Sequence, residues 1–188
     1  GLSVISASMG EYVWQCTRCA AALVHPPLYG EGPWPLLGNF ESGYLAMVNP
    51  CAAKGLPVFL DLADLLPSHQ FAVLPGWGTN QEDYRELRRR SNIAVLPRVK
   101  QIEQFLSQGK LLLMPSLWLE GFGLIAMEGM VRGVPVIASD SGGLKEAKAG
   151  TNYSIPVCLI EHWEAAFDDR NMPRAILPAQ NIEPWLMA

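Results

Sequence analysis

Glu120 and Glu128 stand eight positions apart, on either side of Gly121-Phe122-Gly123. An ionised carboxylate only accepts hydrogen bonds, so a pair of them suits the hydroxyls of a sugar. Eight residues within one helix amount to roughly 800° of rotation, which would not leave both side chains on one face. The conflict disappears if Glu120 lies in a turn and Glu128 lies about one and a half turns into the helix that follows. The glycines predict such a turn, and free backbone N–H groups at a helix start favour an anion such as phosphate. Gly121, Phe122, Gly123 and Leu124 would supply those groups. A phosphate site with hydroxyl acceptors on both sides describes a nucleotide sugar. Lys54 adds an ammonium that can neutralise a diphosphate as a point charge.

Several elements must position these residues. Lys110 to Met114 is apolar after its lysine and reads as a buried strand; Leu124 to Val131 reads as a helix, with Gly133 as its C-cap. The alternation is regular from Tyr44 onward. Strands are expected at 44–49, 71–74, 93–96, 111–114 and 134–139, and helices at 55–66, 81–90, 101–108, 123–132 and 144–148. This predicts an α/β fold with a doubly wound parallel sheet, Rossmann-like, whose strand-to-helix turns all lie at one edge. Ligands of open parallel sheets bind at that edge. Upstream, 2–7 is strand-like, 11–22 reads as a helix, and the Gly/Pro/Trp-rich stretch from His25 to Gly43 reads as loop. Downstream, 161–169 reads as a helix, and 173–188 has no clear period.

Composition narrows the function classes. Hydrophobic residues make up 49% and charged residues 17%, which favours a well-buried core over disorder. A formal charge of −4 argues against a nucleic-acid footprint, and the basic run Arg85 to Arg90 reads as a solvated helix face. Cys16 and Cys19 have CxxC spacing but no second close pair for zinc, so free thiols in a reducing cytoplasm are expected. The three scattered histidines suggest no metal site. Gly76-Trp77-Gly78 does not complete a dinucleotide fingerprint, because Gln81 stands where its third glycine would fall. Core or interface packing is the expected role of Trp77, Trp118 and Trp163. No apolar run is long enough to span a bilayer.

The segment Pro115 to Glu128 resembles the glutamate-x7-glutamate motif of retaining GT-B glycosyltransferases of group 1 (family 4). The resemblance continues through Gly133-Val134-Pro135 to Gly142-Gly143 and Glu146. Upstream it includes Lys54-Gly55, Gly76-Trp77-Gly78, and Asn92-Ile93 followed by Val99. It implies the nucleotide-sugar-binding, C-terminal half of such an enzyme, with residues 1–43 as the tail of the N-terminal domain plus linker. Residues 44–188 would then be the donor domain, incomplete at its C-terminus. The implied reaction moves a sugar from a nucleotide diphosphate donor to an acceptor hydroxyl with retention, without cofactor or metal. By the resemblance, Glu120 contacts the donor sugar, Lys54 the diphosphate and Glu128 the ribose, while Arg98 and Val99 fall in the base-binding loop. Where the family often carries an arginine, five positions before the lysine, this chain has Asn49, which predicts weaker phosphate neutralisation. The acceptor site would lie on the missing N-terminal domain, so this chain alone is expected to be inactive. A cytoplasmic enzyme is expected; by the resemblance, any membrane association would rest on the N-terminal domain. A stand-alone nucleotide- or sugar-binding module, and a GT-B nucleotide-sugar epimerase or a sugar phosphorylase, remain the alternative readings.

Overall fold

The computed structural model describes residues 1–28 and 30–188; Tyr29, inside the stretch expected to be loop, lies outside them. The chain opens with β1 (Leu2–Val4), α1 (Ala7–Thr17) and β2 (Ala21–Leu23), and the two strands pair in parallel as a small sheet of their own. The helix expected over 11–22 starts earlier and stops sooner. Ser6 caps it, its Oγ accepting the Met9 N–H at 3.1 Å. Arg18 ends it in the left-handed conformation (φ 58°), which sends Ala21 and Ala22 into β2.

Six parallel strands follow: β3 (Tyr44–Val48), β4 (Phe71–Leu74), β5 (Ile93–Val95), β6 (Gly109–Met114), β7 (Val136–Ser139) and β8 (Ser154–Ile155). Their order across the sheet is β5-β4-β3-β6-β7-β8. The chain therefore winds outward from β3 in one direction and from β6 in the other, the doubly wound arrangement that was expected. Period-two alternation sorts the strand side chains into two cores. Leu45, Met47, Phe71, Val73 and Leu113 face α2 (Leu56–Leu65), whose Val58, Phe59 and Leu62 are buried. Ala46, Leu112, Met114, Val136 and Ala138 face α4 (Glu103–Leu106), α5 (Leu124–Met130) and α6 (Leu144–Ala147).

α3 (Gln81–Arg88) begins with a reciprocal cap: Asn80 Oδ1 accepts the Asp83 N–H, and Asp83 Oδ2 accepts the Asn80 N–H, both at 2.9 Å. Arg85, Arg88 and Arg89 are solvated, as expected, while Arg90, just past the helix, turns back to grip Asp64 with two bonds of 2.7 Å. Burial pushes the Asp83 carboxyl up to about 6; its bond from the Asn80 N–H opposes the shift, and the charges of Asp168, Glu82 and Asp169 add to it. The folded state thus holds this proton more tightly than the unfolded chain, and Asp83 removes stability as pH rises from about 4 to 6. Asp83→Asn keeps an acceptor for the cap and removes the charge. Urea titrations should find the variant about 1–3 kcal/mol more stable than wild type at pH 7.5, with no gain at pH 4. A gain of the same size at both pH values would contradict the assignment.

The C-terminal segment departs from expectation. Residues 161–169 are not helical: β9 (His162–Phe167) pairs antiparallel with β10 (Pro173–Ile176), and the aperiodic tail ends in α7 (Glu183–Met187). The turn decides this. Asp168 Oδ1 accepts the N–H groups of Arg170 and Met172, and Asn171 adopts φ 58°, which folds the chain back into a ribbon. The ribbon is tied to the start of α3 by Asn80 Nδ2 donating to Asp168 Oδ2 at 2.9 Å and Arg170 Nε donating to the Thr79 carbonyl at 3.0 Å. Trp185 of α7 is buried against the α2 side of the sheet. Among the described residues, no helix is long and apolar enough to cross a membrane.

Candidate functional site

The strand order reverses between β3 and β6, and the loops leaving their C-terminal ends form the walls of a crevice. The loop after β3 carries Asn49 and a 3₁₀ turn (Ala52–Lys54) that ends at Gly55. The loop after β6 carries Ser116, Trp118 and Glu120 before α5 begins. The two loops are stitched together by the Leu117 N–H, which donates to the Ala53 carbonyl at 2.9 Å. A third loop, after β7, closes on them: the Gly143 N–H donates to the Glu120 carbonyl at 2.8 Å.

Glu120 is 5% exposed and forms the centre of this crevice. Its Oε1 accepts from Lys54 Nζ and from Ser116 Oγ, each at 2.5 Å. Lys54 Nζ also lies 4.7 Å from the centre of the Trp118 ring, which in turn sits 5.8 Å from Trp77. Trp77 is 53% exposed, so it is not a core residue. Beside the ion pair is a cavity of about 170 Å³ lined by Asn49, Lys54, Trp77 and Ser116, with Met114 and Ile125 among its apolar walls. A larger cavity, about 570 Å³, opens beside Val136 and Lys148, where β7 begins. That is the opposite edge from the loops where open parallel sheets bind ligands.

The expected residues divide into two groups. Lys54 and Glu120 meet directly. Gly121 to Gly123 wrap the next turn, where Gly123 adopts φ 93° and starts α5 at Leu124. The Phe122 side chain is buried, its ring 5.4 Å from that of His25, so it offers the crevice only backbone. Glu128 sits apart from the Lys54 cluster. It is half-buried on α5, and burial pushes its carboxyl up, with the Arg132 charge opposing and Glu103 adding. Among the described residues the two carboxylates share no hydrogen-bond partner. Arg98 is exposed on the loop after β5, and Val99 packs half-buried against the sheet. Sequence reasoning did not find Ser116; its only signal is its place four residues before Glu120, beside Pro115. Among the described residues no group of three or more His, Cys, Asp or Glu is arranged to hold a metal. Cys16, Cys19, Cys51 and Cys158 are free thiols.

Residues 41–168 match the family described as Glycosyl transferases group 1. The chain belongs to that family. An uncharacterized 41.2 kDa protein in the cps region of Klebsiella pneumoniae is 37% identical over 86 residues, 46% of this chain and 22% of the relative. The fold is similar to that of a glycosyltransferase from Rickettsia africae (TM-score 0.61, 13% identity, 82% of this chain and 48% of that one). It is also similar to TarM (TM-score 0.65, 15% identity, 82% and 33%) and to HepE of Anabaena in complex with UDP-glucose (0.58, 17%, 77% and 46%). The chain spans about a fifth of the length of the curated relative and a third to a half of these structures. As a group 1 family member, it carries the Rossmann-like α/β fold its sequence predicts.

Proposed function

We propose that this chain is the donor-binding half of a glycosyltransferase that moves a sugar from a nucleotide diphosphate sugar to an acceptor hydroxyl with retention. The observation that carries the reading is the Lys54–Glu120–Ser116 cluster, its glutamate and serine buried, at the point where the strand order reverses. Glu120 orients the donor sugar through its hydroxyls. Lys54 gives one N–H to Glu120 and keeps two for the diphosphate. When the bond from the anomeric carbon to the diphosphate oxygen breaks, the electron pair leaves with the phosphate. A fixed cation at that oxygen lowers the barrier without reorganising. The backbone of Gly121, Phe122, Gly123 and Leu124 lines the same turn. Glu128 accepts from the ribose hydroxyls, and the loop with Arg98 and Val99 receives the base. Residues 1–43 are the tail of a second domain plus linker, in keeping with the separate β1–α1–β2 unit. That second domain brings the acceptor, so turnover by this chain alone is negligible. The full enzyme acts in the cytoplasm.

Calorimetric titration of this chain with UDP, GDP, ADP and their glucose forms tests the reading, beside Glu128→Ala. One diphosphate should bind, and the variant should bind it about 10- to 100-fold more weakly, the loss expected for hydrogen bonds to a charged group. Equal binding by variant and wild type would remove the ribose role from Glu128.

A further inference from the structure

Asn49 is 6% exposed, and its amide is fixed in one orientation. Its Oδ1 accepts the Gly78 N–H at 2.9 Å, which leaves Nδ2 as the free end. That Nδ2 is buried and has no hydrogen-bond partner among the described residues. Buried amide donors are rarely left this way, because their desolvation is then uncompensated. The loop around it is shaped to keep it there. Asn49 itself adopts φ 57°, a left-handed conformation that asparagine tolerates better than most residues. A Cβ on Gly76 would stand 2.6 Å from Asn49 Oδ1, and one on Gly78 would stand 2.8 Å from Cys51 Sγ and 3.5 Å from Asn49 Nδ2. Gly76-Trp77-Gly78 is therefore the cradle of this amide, which accounts for a pattern that fits no dinucleotide fingerprint.

Asn49 lines the same cavity as Lys54, Ser116 and Trp77. At about 170 Å³ the cavity has room for about six waters at ~30 Å³ each. Pockets for larger ligands run from about 300 Å³ upward, so one small group fits here and a whole nucleotide does not. The charge at its wall is balanced, because Lys54 is paired with Glu120. Asn49 adds a donor without adding charge. A neutral, hydroxyl-bearing group suits this setting better than a second phosphate.

Resting on the donor-binding reading above, we propose that Asn49 is a specificity residue whose Nδ2 donates to a hydroxyl oxygen of the donor sugar, not to the diphosphate. Asn49→Ala removes the amide without adding charge; Asn49→Gly tolerates the positive φ and removes the whole side chain. The test is calorimetry of the 188-residue chain and both variants with UDP and with UDP-glucose, the GDP and ADP pairs alongside, and Glu128→Ala as the control for the donor site. Thermal unfolding of each variant confirms that it is folded. Both Asn49 variants should bind the nucleotide sugar three- to tenfold more weakly than wild type and the bare diphosphate unchanged. Equal losses for both ligands would overturn the proposal and place the amide on the phosphate. Unchanged binding of both, with Glu128→Ala still impaired, would overturn it and leave the amide without a ligand role while the donor site stands. If wild type binds none of the six ligands, the donor reading fails and this inference fails with it.

Discussion

Gly55→Ala is expected to destabilise the fold by more than about 4 kcal/mol, enough to leave a domain of ordinary stability largely unfolded at 37 °C. Two costs fall on the same residue. Gly55 adopts φ 80°, which an alanine side chain resists, and a Cβ there would lie 1.8 Å from the Pro115 carbonyl oxygen. That contact is with backbone, so no side-chain rotation relieves it. Only separation of the β3 and β6 loops would, and separation breaks the Leu117-to-Ala53 bond that stitches the crevice. The glycine of the Lys54-Gly55 pair therefore sets the approach of the two walls, while the lysine works within the gap. Circular dichroism with urea titration measures the effect; a loss below about 1 kcal/mol would show that the loops can part at little cost.

Glu120→Ala should cost about 2–4 kcal/mol in stability, and it should abolish donor binding as well. The variant leaves Lys54 without its carboxylate and the 1%-exposed Ser116 hydroxyl without its acceptor. The Lys54 side chain is 21% exposed, so its ammonium can relax toward solvent, which places the estimate below the full cost of breaking a sealed pair. Lys54→Ala is expected to destabilise as well, since it leaves the Glu120 carboxylate in a protein interior with Ser116 alone. The double variant should then cost clearly less than the sum of the singles, because it removes both charges together. A double-mutant cycle reads this directly. Additivity within about 0.5 kcal/mol would show that the two groups are not coupled in solution.

These effects follow from contacts that a sequence describes only in part. The alternation of strand and helix from Tyr44 to Ala147 was legible, because each parallel strand is a short apolar run bounded by turn residues. The weak points were places where a single local bond decides the outcome. Residues 161–169 look as helical as they look extended, until the Asp168 side chain binds two downstream N–H groups and reverses the chain. The helix in residues 11–22 was placed too late, because Ser6 had not been identified as its cap.

The site divides in the same way. The sequence by itself determined the family, the doubly wound sheet, and the placement of Lys54 and Glu120 in loops leaving the C-terminal edge of the sheet, since these depend on residue types in a fixed order along the chain. Only the tertiary structure decided which of them touch. Lys54 and Glu120 lie 66 positions apart and meet because β3 and β6 are neighbours. Glu128, only eight positions from Glu120, lies on α5, where burial and the Glu103 charge raise its pKa against the Arg132 charge. Asn49 was legible only as the absence of an arginine. That its amide is locked by Gly78 and left with a free donor depends on a loop 29 positions away, brought alongside by the pairing of β3 with β4. Order along the chain specifies which groups are available, and strand pairing specifies which of them come within bonding distance.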